Sequence, residues 1–423
     1  MPQLALQSVD SVASYRFPNG LELYCEPVPH VRSVSLGIWI RTGSANETAE
    51  QAGVSHFLEH LLFKGTTTRT ARQLMEIIEG RGGQINAFTA RDCTCLYVQV
   101  LDTHLDSAVE VLADILRNST FFDFEKERNV VIEEIASVED VPEEYVHDRF
   151  VQRLWPDAPI GRPVGGFEET VADLSIDDVR AYRDKWYVPD NMLVTAAGNL
   201  DPDALYQMIG AAFADLPPSG IARAYVAPTF GSGVDAAVRD IAQSHVCIGF
   251  PGFPVTDDIQ YPCEVLSMAL GEGSTSRLFD RIREREGLAY AIYSYKSAYH
   301  EAGFLGVYAA VAPENLRRTL SLIGDEIKGI CDTPLSEAEL SLNKEQIRGG
   351  MLMGMERTSS RMSRLARSIM QAGRIISVDE ALERTDAVSA DELQRVAQRL
   401  FRGTAGVTAI VGPECGDIAE IRL

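Results

Sequence analysis

The 423-residue sequence predicts an α+β fold of two related domains, each a mainly antiparallel sheet packed with helices. Three observations carry that expectation: a motif order that occurs twice, apolar strand-length runs that cluster rather than alternate singly with helices, and a hairpin signal near the start. Ser175-Ile-Asp-Asp-Val-Arg is followed by Lys185-Trp-Tyr and an apolar run over 192–197 that closes at Gly198. The same order returns 214 positions later as Ser389-Ala-Asp-Glu-Leu-Gln, Arg399-Leu-Phe and a run over 407–411 that closes at Gly412. Near the start of each half, Val34-Ser-Leu-Gly-Ile is echoed by Val246-Cys-Ile-Gly-Phe, an offset of 212.

Along the chain, Asn19-Gly20 between Arg16-Phe17 and the apolar residues 21–25 is a two-residue turn signal that fixes an antiparallel start. Runs rich in β-branched and aromatic residues place strands over 33–41, 93–101, 290–295 and 304–311. The Pro/Gly-rich stretch from Leu216-Pro-Pro-Ser-Gly to Gly231-Ser-Gly has linker composition, which divides a domain over 1–215 from one over 234–423, with 216–233 between them.

Composition narrows the function classes. Apolar residues make up 45% and charged residues 24%, an ordinary globular balance. A net charge of −22 repels phosphate backbones and anionic lipid, which excludes nucleic acid and membrane surfaces as expected partners. No apolar run approaches the roughly 20 residues that span a bilayer. The first ten residues lack a basic stretch followed by an apolar one, so a cytoplasmic location is the expectation. Seven scattered cysteines, an odd number, argue against a disulfide framework, and Cys93 and Cys95 read as core thiols rather than metal ligands.

The chemistry is concentrated in His56-Phe-Leu-Glu59-His60. Val54, Phe57, Leu58, Leu61 and Leu62 give residues 51–63 a helical apolar pattern, and Gly65 can stop the helix. Histidines at i and i+4 project from one face and suit two ligands of a tetrahedral zinc, with Glu59 within reach of the same side. At this composition the pattern arises by chance only ~0.02 times in the chain. Zinc needs a third protein ligand, and the expected helix Phe124–Asp140 offers Glu127, Glu133 and Glu134. Glu134 has Val130, Val131 and Val138 as its helical neighbours, whereas Glu133 has Asn129 and Ser137, so Glu134 is placed nearer the buried face. Glu127, two turns earlier on the same stripe, is placed to orient a ligand. The position 212 beyond His56 falls in Leu266-Ser-Met-Ala-Leu, without a ligand, so at most one half binds metal.

His-x-x-Glu-His followed by Glu127-Arg-Asn-Val-Val-Ile-Glu-Glu134 resembles the inverted-motif zinc peptidases, the family of pitrilysin, insulin-degrading enzyme and the mitochondrial processing peptidase. The likeness extends through residues 53–66, Asn86-Ala-Phe-Thr and Glu139-Asp-Val-Pro-Glu-Glu-Tyr-Val-His-Asp148, and the length resembles the short bacterial members. The resemblance implies one zinc per chain held by His56, His60 and Glu134, with Glu59 as the base and Glu127 behind the ligands. Manganese or cobalt would suit the same donors. It also implies an Arg and a Tyr from the metal-free domain, matched by Arg283 and Tyr290 in Ile282-Arg283-Glu-Arg-Glu-Gly-Leu-Ala289-Tyr290, which has Ala for the usual Gly. Both could stabilise an oxyanion or grip the substrate carbonyl. The two domains would form half of a clamshell chamber, completed in a homodimer where Arg283 and Tyr290 of one subunit serve the zinc of the other.

The same resemblance makes Asn86, Ala87 and Phe88 a strand edge that binds an extended peptide by backbone pairing. It places Phe63 in the pocket after the cleavage point and makes Glu144 and Asp148 acids that read a basic residue near the cut. Gly271-Glu-Gly273-Ser resembles a shortened glycine-rich loop without a nucleotide fingerprint. The expected function is a zinc-dependent endopeptidase acting on extended peptides or short unfolded polypeptides. The alternatives are a partner-dependent subunit and a non-enzymatic scaffold of the same family, against which the complete ligand set and base, and the Arg/Tyr pair in the same chain, argue.

Overall fold

Asn19-Gly20 turns the chain as its composition requires, with Gly20 at φ 90°, and pairs β1 (Ala13–Arg16) with β2 (Glu22–Pro27). The computed structural model describes residues 12–220 and 225–413, so Cys415 and residues 221–224 of the expected linker lie outside the described residues. To the hairpin are added β3 (Ser33–Ile40), β4 (Gln84–Thr89), β5 (Thr94–Leu101) and β6 (Met192–Gly198), in the order β1-β2-β6-β3-β5-β4. All pairs are antiparallel except β2 with β6.

The second sheet contains β7 (Gly233–Val238), β8 (Ser244–Pro251), β9 (Ala289–Ala298), β10 (Gly303–Val311) and β11 (Val407–Gly412), ordered β7-β11-β8-β10-β9. It too has one parallel pair, β7 with β11. Without β1, the two sheets have one topology, in which the last strand of each half inserts between the first two. The repeated serines do the same job in each half. Ser175 and Ser389 are N-caps, accepting from the backbone N–H of Asp178 and Glu392 at the starts of helices Ile176–Trp186 and Ala390–Phe401.

Each sheet packs one face on a core of its own. The first core gathers Leu23, Leu36, Ile38, Phe57, Leu61, Leu112 and Val194, and the second gathers Ile248, Val265, Leu266, Val307, Ile323 and Leu393. The described cysteines are buried thiols, as expected of Cys93 and Cys95.

The compact bodies are not the halves 1–215 and 234–423. Residues Ser137–Gly161 belong with the second body and Met353–Ser377 with the first. The reason lies on the outer face of each sheet, which is apolar and is covered by a helix from the other half of the sequence. Helix Thr358–Ala372 sets Met362, Ala366 and Ile369 against Trp39, Leu193 and Ala197. Helix Pro142–Leu154 sets Phe150 against Phe304 and Tyr295, 5.3 and 6.4 Å between ring centres. The glycine of the repeated motif makes room for this packing. A Cβ on Gly37 would stand 3.0 Å from the Met362 sulfur, and one on Gly249 would stand 2.2 Å from Cζ of Phe150. Composition marks neither helix as exchanged, so the sequence boundary fell at the linker instead.

Candidate metal centre

The histidine helix, Val54–Leu62, forms because Val54, Phe57, Leu58, Leu61 and Leu62 are all fully buried against the first core. Gly53 opens it at φ 94°, and Gly65 at φ 113° turns the chain after it. Residues 51–53 of the expected helix lie outside it, because Gly53 at φ 94° interrupts the helical backbone. His56 and His60 emerge one turn apart with ring centres 4.7 Å from each other and planes at 68°.

Helix Phe124–Asp140 brings the carboxylates. Glu127 and Val131 are buried at 3% and 0% exposure, and Glu134 continues the same stripe outward to the histidines. Glu134 Oε1 lies 3.6 Å from His56 Nε2 and Oε2 lies 3.4 Å from His60 Nε2. Those separations exceed hydrogen-bond length but match the edge of a tetrahedral zinc site, where donors ~2.0–2.1 Å from the ion stand about 3.3–3.5 Å apart. Two imidazoles and one carboxylate are a donor set that zinc takes with a fourth position open, so the residues fit the ion. Val130 and Val138 beside Glu134 are less buried than their apolar spacing predicts. Val130 is 40% exposed, and the Glu134 side chain is itself 48% exposed; its position is set by Glu127 and Val131 rather than by three buried valines.

Behind the ligands, Glu127 Oε2 stands 3.6 Å from His60 Nδ1 while Oε1 pairs with Lys64 Nζ at 2.9 Å. Burial, and then the neighbouring His60, hold the His56 imidazole below its ordinary value, against the pull of Glu134. Glu59 lies on the same helix, half-buried, and accepts a 2.5 Å hydrogen bond from the Thr89 hydroxyl at the end of β4. Burial raises its carboxyl above the usual range, with Thr89 and His60 opposing. Lys64 and Thr89 were not among the expected site residues. Nothing local marks either, because each matters only through a partner distant along the chain.

The strand Asn86-Ala87-Phe88 lies in β4, which is the edge of the first sheet and pairs with β5 alone among the described strands. Phe88 is 40% exposed and meets Trp39 and Tyr97 edge-on or tilted at 5.7 and 6.2 Å, so it is not simply core. Phe63, at the end of the histidine helix, is half-buried and packs against the first core.

In the second body, Arg283 and Tyr290 do come together. The guanidinium lies over the rings of Phe279 and Tyr290, 4.7 and 5.5 Å from their centres, and Tyr290 is 77% exposed at the start of β9. Glu144 and Asp148 sit one turn apart on helix Pro142–Leu154, Glu144 exposed and Asp148 half-buried. Glu272 turns in to accept from Ser267 at 2.5 Å, and Gly271 is required because a Cβ there would meet the Ser294 nitrogen at 2.4 Å. Among the described residues, no helix is long and apolar enough to cross a membrane.

Comparison with known proteins places this geometry in context. Residues 25–167 match the model of the insulinase family of peptidases, M16, and residues 173–347 match the model described as the peptidase M16 inactive domain. The chain is 37% identical to the uncharacterized zinc protease YmxG of Bacillus subtilis over 392 residues, covering 92% of this chain and 96% of that one. It is also 37% identical to an uncharacterized zinc protease of Streptomyces coelicolor, covering 96% and 90%. Its fold matches the crystal structure of a protease from Helicobacter pylori with a TM-score of 0.90 at 22% identity, covering 96% of this chain and all 100% of that one. A peptidase M16 inactive domain structure from Pseudomonas fluorescens matches with a TM-score of 0.89 at 16% identity, covering 95% and 98%.

Proposed function

This chain belongs to the insulinase family, M16, among its short bacterial members, and from that premise we propose that it is a zinc-dependent endopeptidase that cleaves extended peptides. The observation that carries the reading is the convergence of His56, His60 and Glu134 at tetrahedral spacing, with Glu59 on the same helix. When bound, zinc supplies Lewis acidity, polarising the scissile carbonyl and making water easier to deprotonate at neutral pH.

Glu59 takes the proton of the attacking water and returns it to the leaving amine, a task suited to a carboxyl whose hold on a proton burial strengthens. The Thr89 hydroxyl holds Glu59 at the end of β4, which couples the base to the strand that receives substrate. The open edge of β4 pairs with the backbone of an extended peptide along Asn86, Ala87 and Phe88, a mode that selects chains without secondary structure of their own. Phe63 lines the pocket beyond the cut, and Glu144 and Asp148 favour a basic residue near it. A second copy of the chain contributes Arg283 and Tyr290 in trans, stabilising the oxyanion within a chamber formed by the homodimer. The exposure of Tyr290 supports that assignment.

The test is zinc content together with cleavage of a peptide pool by wild type and Glu59→Gln. Near-stoichiometric zinc in both, with cleavage by the wild type only, is expected. Zinc without cleavage in a monomeric wild type would favour a partner-dependent subunit. Mixing inactive Glu59→Gln with inactive Tyr290→Phe subunits restores part of the activity if sites are shared in trans, and none if each chain works alone.

A further inference from the structure

The histidine helix starts without a cap of its own. Gly53 has no side chain to accept from the first N–H groups, which every helix leaves unpaired. Their partner comes from outside: Glu47 Oε2 accepts from the Gly53 N–H and Oε1 from the Ser55 N–H, both at 2.8 Å. Two bonds from one rigid carboxylate fix both the place and the rotation of the first turn, and His56 is the next residue after Ser55.

The other contacts at this end are equally close. A Cβ on Gly53 would stand 2.5 Å from the Gly165 carbonyl oxygen, and one on Gly166 would stand 2.4 Å from that of Ala52. The Ser55 hydroxyl pairs with that of Tyr182 at 2.8 Å, and Arg162 donates to the carbonyls of Glu47 and Thr48 at 3.0 and 2.7 Å.

A buried carboxylate is a costly way to cap a helix. Glu47 is 3% exposed, and burial pushes its carboxyl up to about 7 against the bonds that favour its charge. Helix starts are usually capped by a Ser, Thr, Asn or Asp at the N-cap itself, but no Cβ fits at Gly53. An uncharged partner would serve the same N–H groups without placing a negative charge inside the protein beside the first turn. A helix N-terminus carries about half a positive charge, and His56 lies in that turn, so a dication there is repelled unless something offsets the field.

We propose that Glu47 is a positioning residue for the metal centre: it locks the start of the His56–His60 helix and supplies the charge that lets a divalent cation bind close to that helix N-terminus. The inference rests on His56, His60 and Glu134 being the ligand set. It is tested on the full chain by zinc affinity, measured by competition with a chromophoric chelator, and by the visible spectrum of the cobalt-substituted protein. Glu47→Gln keeps the size but removes the charge and turns a donor toward a backbone N–H. The expected result is zinc binding about tenfold to hundredfold weaker, with shifted cobalt bands in a folded protein. Glu47→Asp should recover part of the loss. Zinc affinity and cobalt spectrum equal to wild type overturn the proposal, even if the melting temperature drops, because Glu47 would then be a cap alone. Should Glu47→Gln not fold, Arg162→Gln loosens the same residue while leaving its carboxylate, and weaker zinc binding with a shifted spectrum is again expected; no change overturns the proposal. A wild type that binds neither zinc nor cobalt instead overturns the metal assignment itself.

Discussion

In the first body, the helix after β3 carries His56, Glu59 and His60. In the second, the helix after β8, Gln260–Gly271, carries Met268 at the position 212 beyond His56 and ends before Glu272, the position 212 beyond His60. The sheets share their strand order, so the scaffold does not decide which body holds a metal. Side chains of one helix decide it, together with a carboxylate helix placed to meet them. The outer faces differ as well. Helix Thr358–Ala372 is anchored by ion pairs of Arg361 and Arg364 with Glu26. Helix Pro142–Leu154 is anchored by Arg149 on Asp235 and by His147, whose two ring nitrogens meet the hydroxyls of Tyr295 and Tyr293 at 2.9 and 3.1 Å. One architecture thus carries a metal-type site in one copy and an aromatic hydrogen-bond cluster in the other.

The largest expected break in this comparison comes from Glu59→Gln, which should lower kcat/KM by about 10²–10⁴ with zinc retained. Met268→Leu, at the corresponding place in the second body, should leave kcat/KM unchanged; steady-state kinetics on one peptide separates the two. Next, Glu134→Ala should cost more zinc affinity than the about tenfold to hundredfold typical of losing a group behind a ligand, as read by chelator competition. The motif glycines come third. Gly249→Ala drives a Cβ into the ring of Phe150 and should destabilise by about 1–3 kcal/mol in urea unfolding. Gly37→Ala should cost less, because its nearest contacts, Trp39 Nε1 at 2.9 Å and the flexible Met362 at 3.0 Å, stand farther off than the 2.2 Å approach to Phe150. Equal costs would mean that the difference in clearance at the two glycines does not set how tightly each helix is packed.

The smallest effect is pH-dependent. Burial holds His147 below its ordinary value of 6.5, and His245 in the same cluster behaves alike. The unfolded chain therefore binds these protons first, and stability is lost as pH falls through 6.5 toward the folded values. His147→Gln should flatten that slope in the zinc-loaded protein, whereas Arg364→Gln should not. A slope unaltered by His147→Gln would remove the histidine from the account of how this helix is held.

Much of this was legible in the residues. Alternation and β-branched runs gave the strands to within a residue or two at 33–41, 93–101 and 304–311, and Asn19-Gly20 gave the turn, because these depend on local sterics and a period of two. The histidine pair was legible because its spacing is itself a distance on a helix. What was not legible depends on tertiary partners. Thr89 finds Glu59 across 30 positions of chain, and Glu47 finds backbone N–H groups that have no side-chain identity to read. The helix exchange was hidden for the same reason: Gly37 and Gly249 were visible as a repeat, but not as clearance for Met362 and Phe150.

That exchange constrains how the protein is made. Ribosomes deliver the chain from its N-terminus, so Trp39, Leu193 and Ala197 emerge long before helix Thr358–Ala372, whose first residue follows Ala197 by 161 positions. The early half must wait with an uncovered greasy surface, which makes the nascent polypeptide a natural client for holdase chaperones and a prematurely terminated one prone to aggregate.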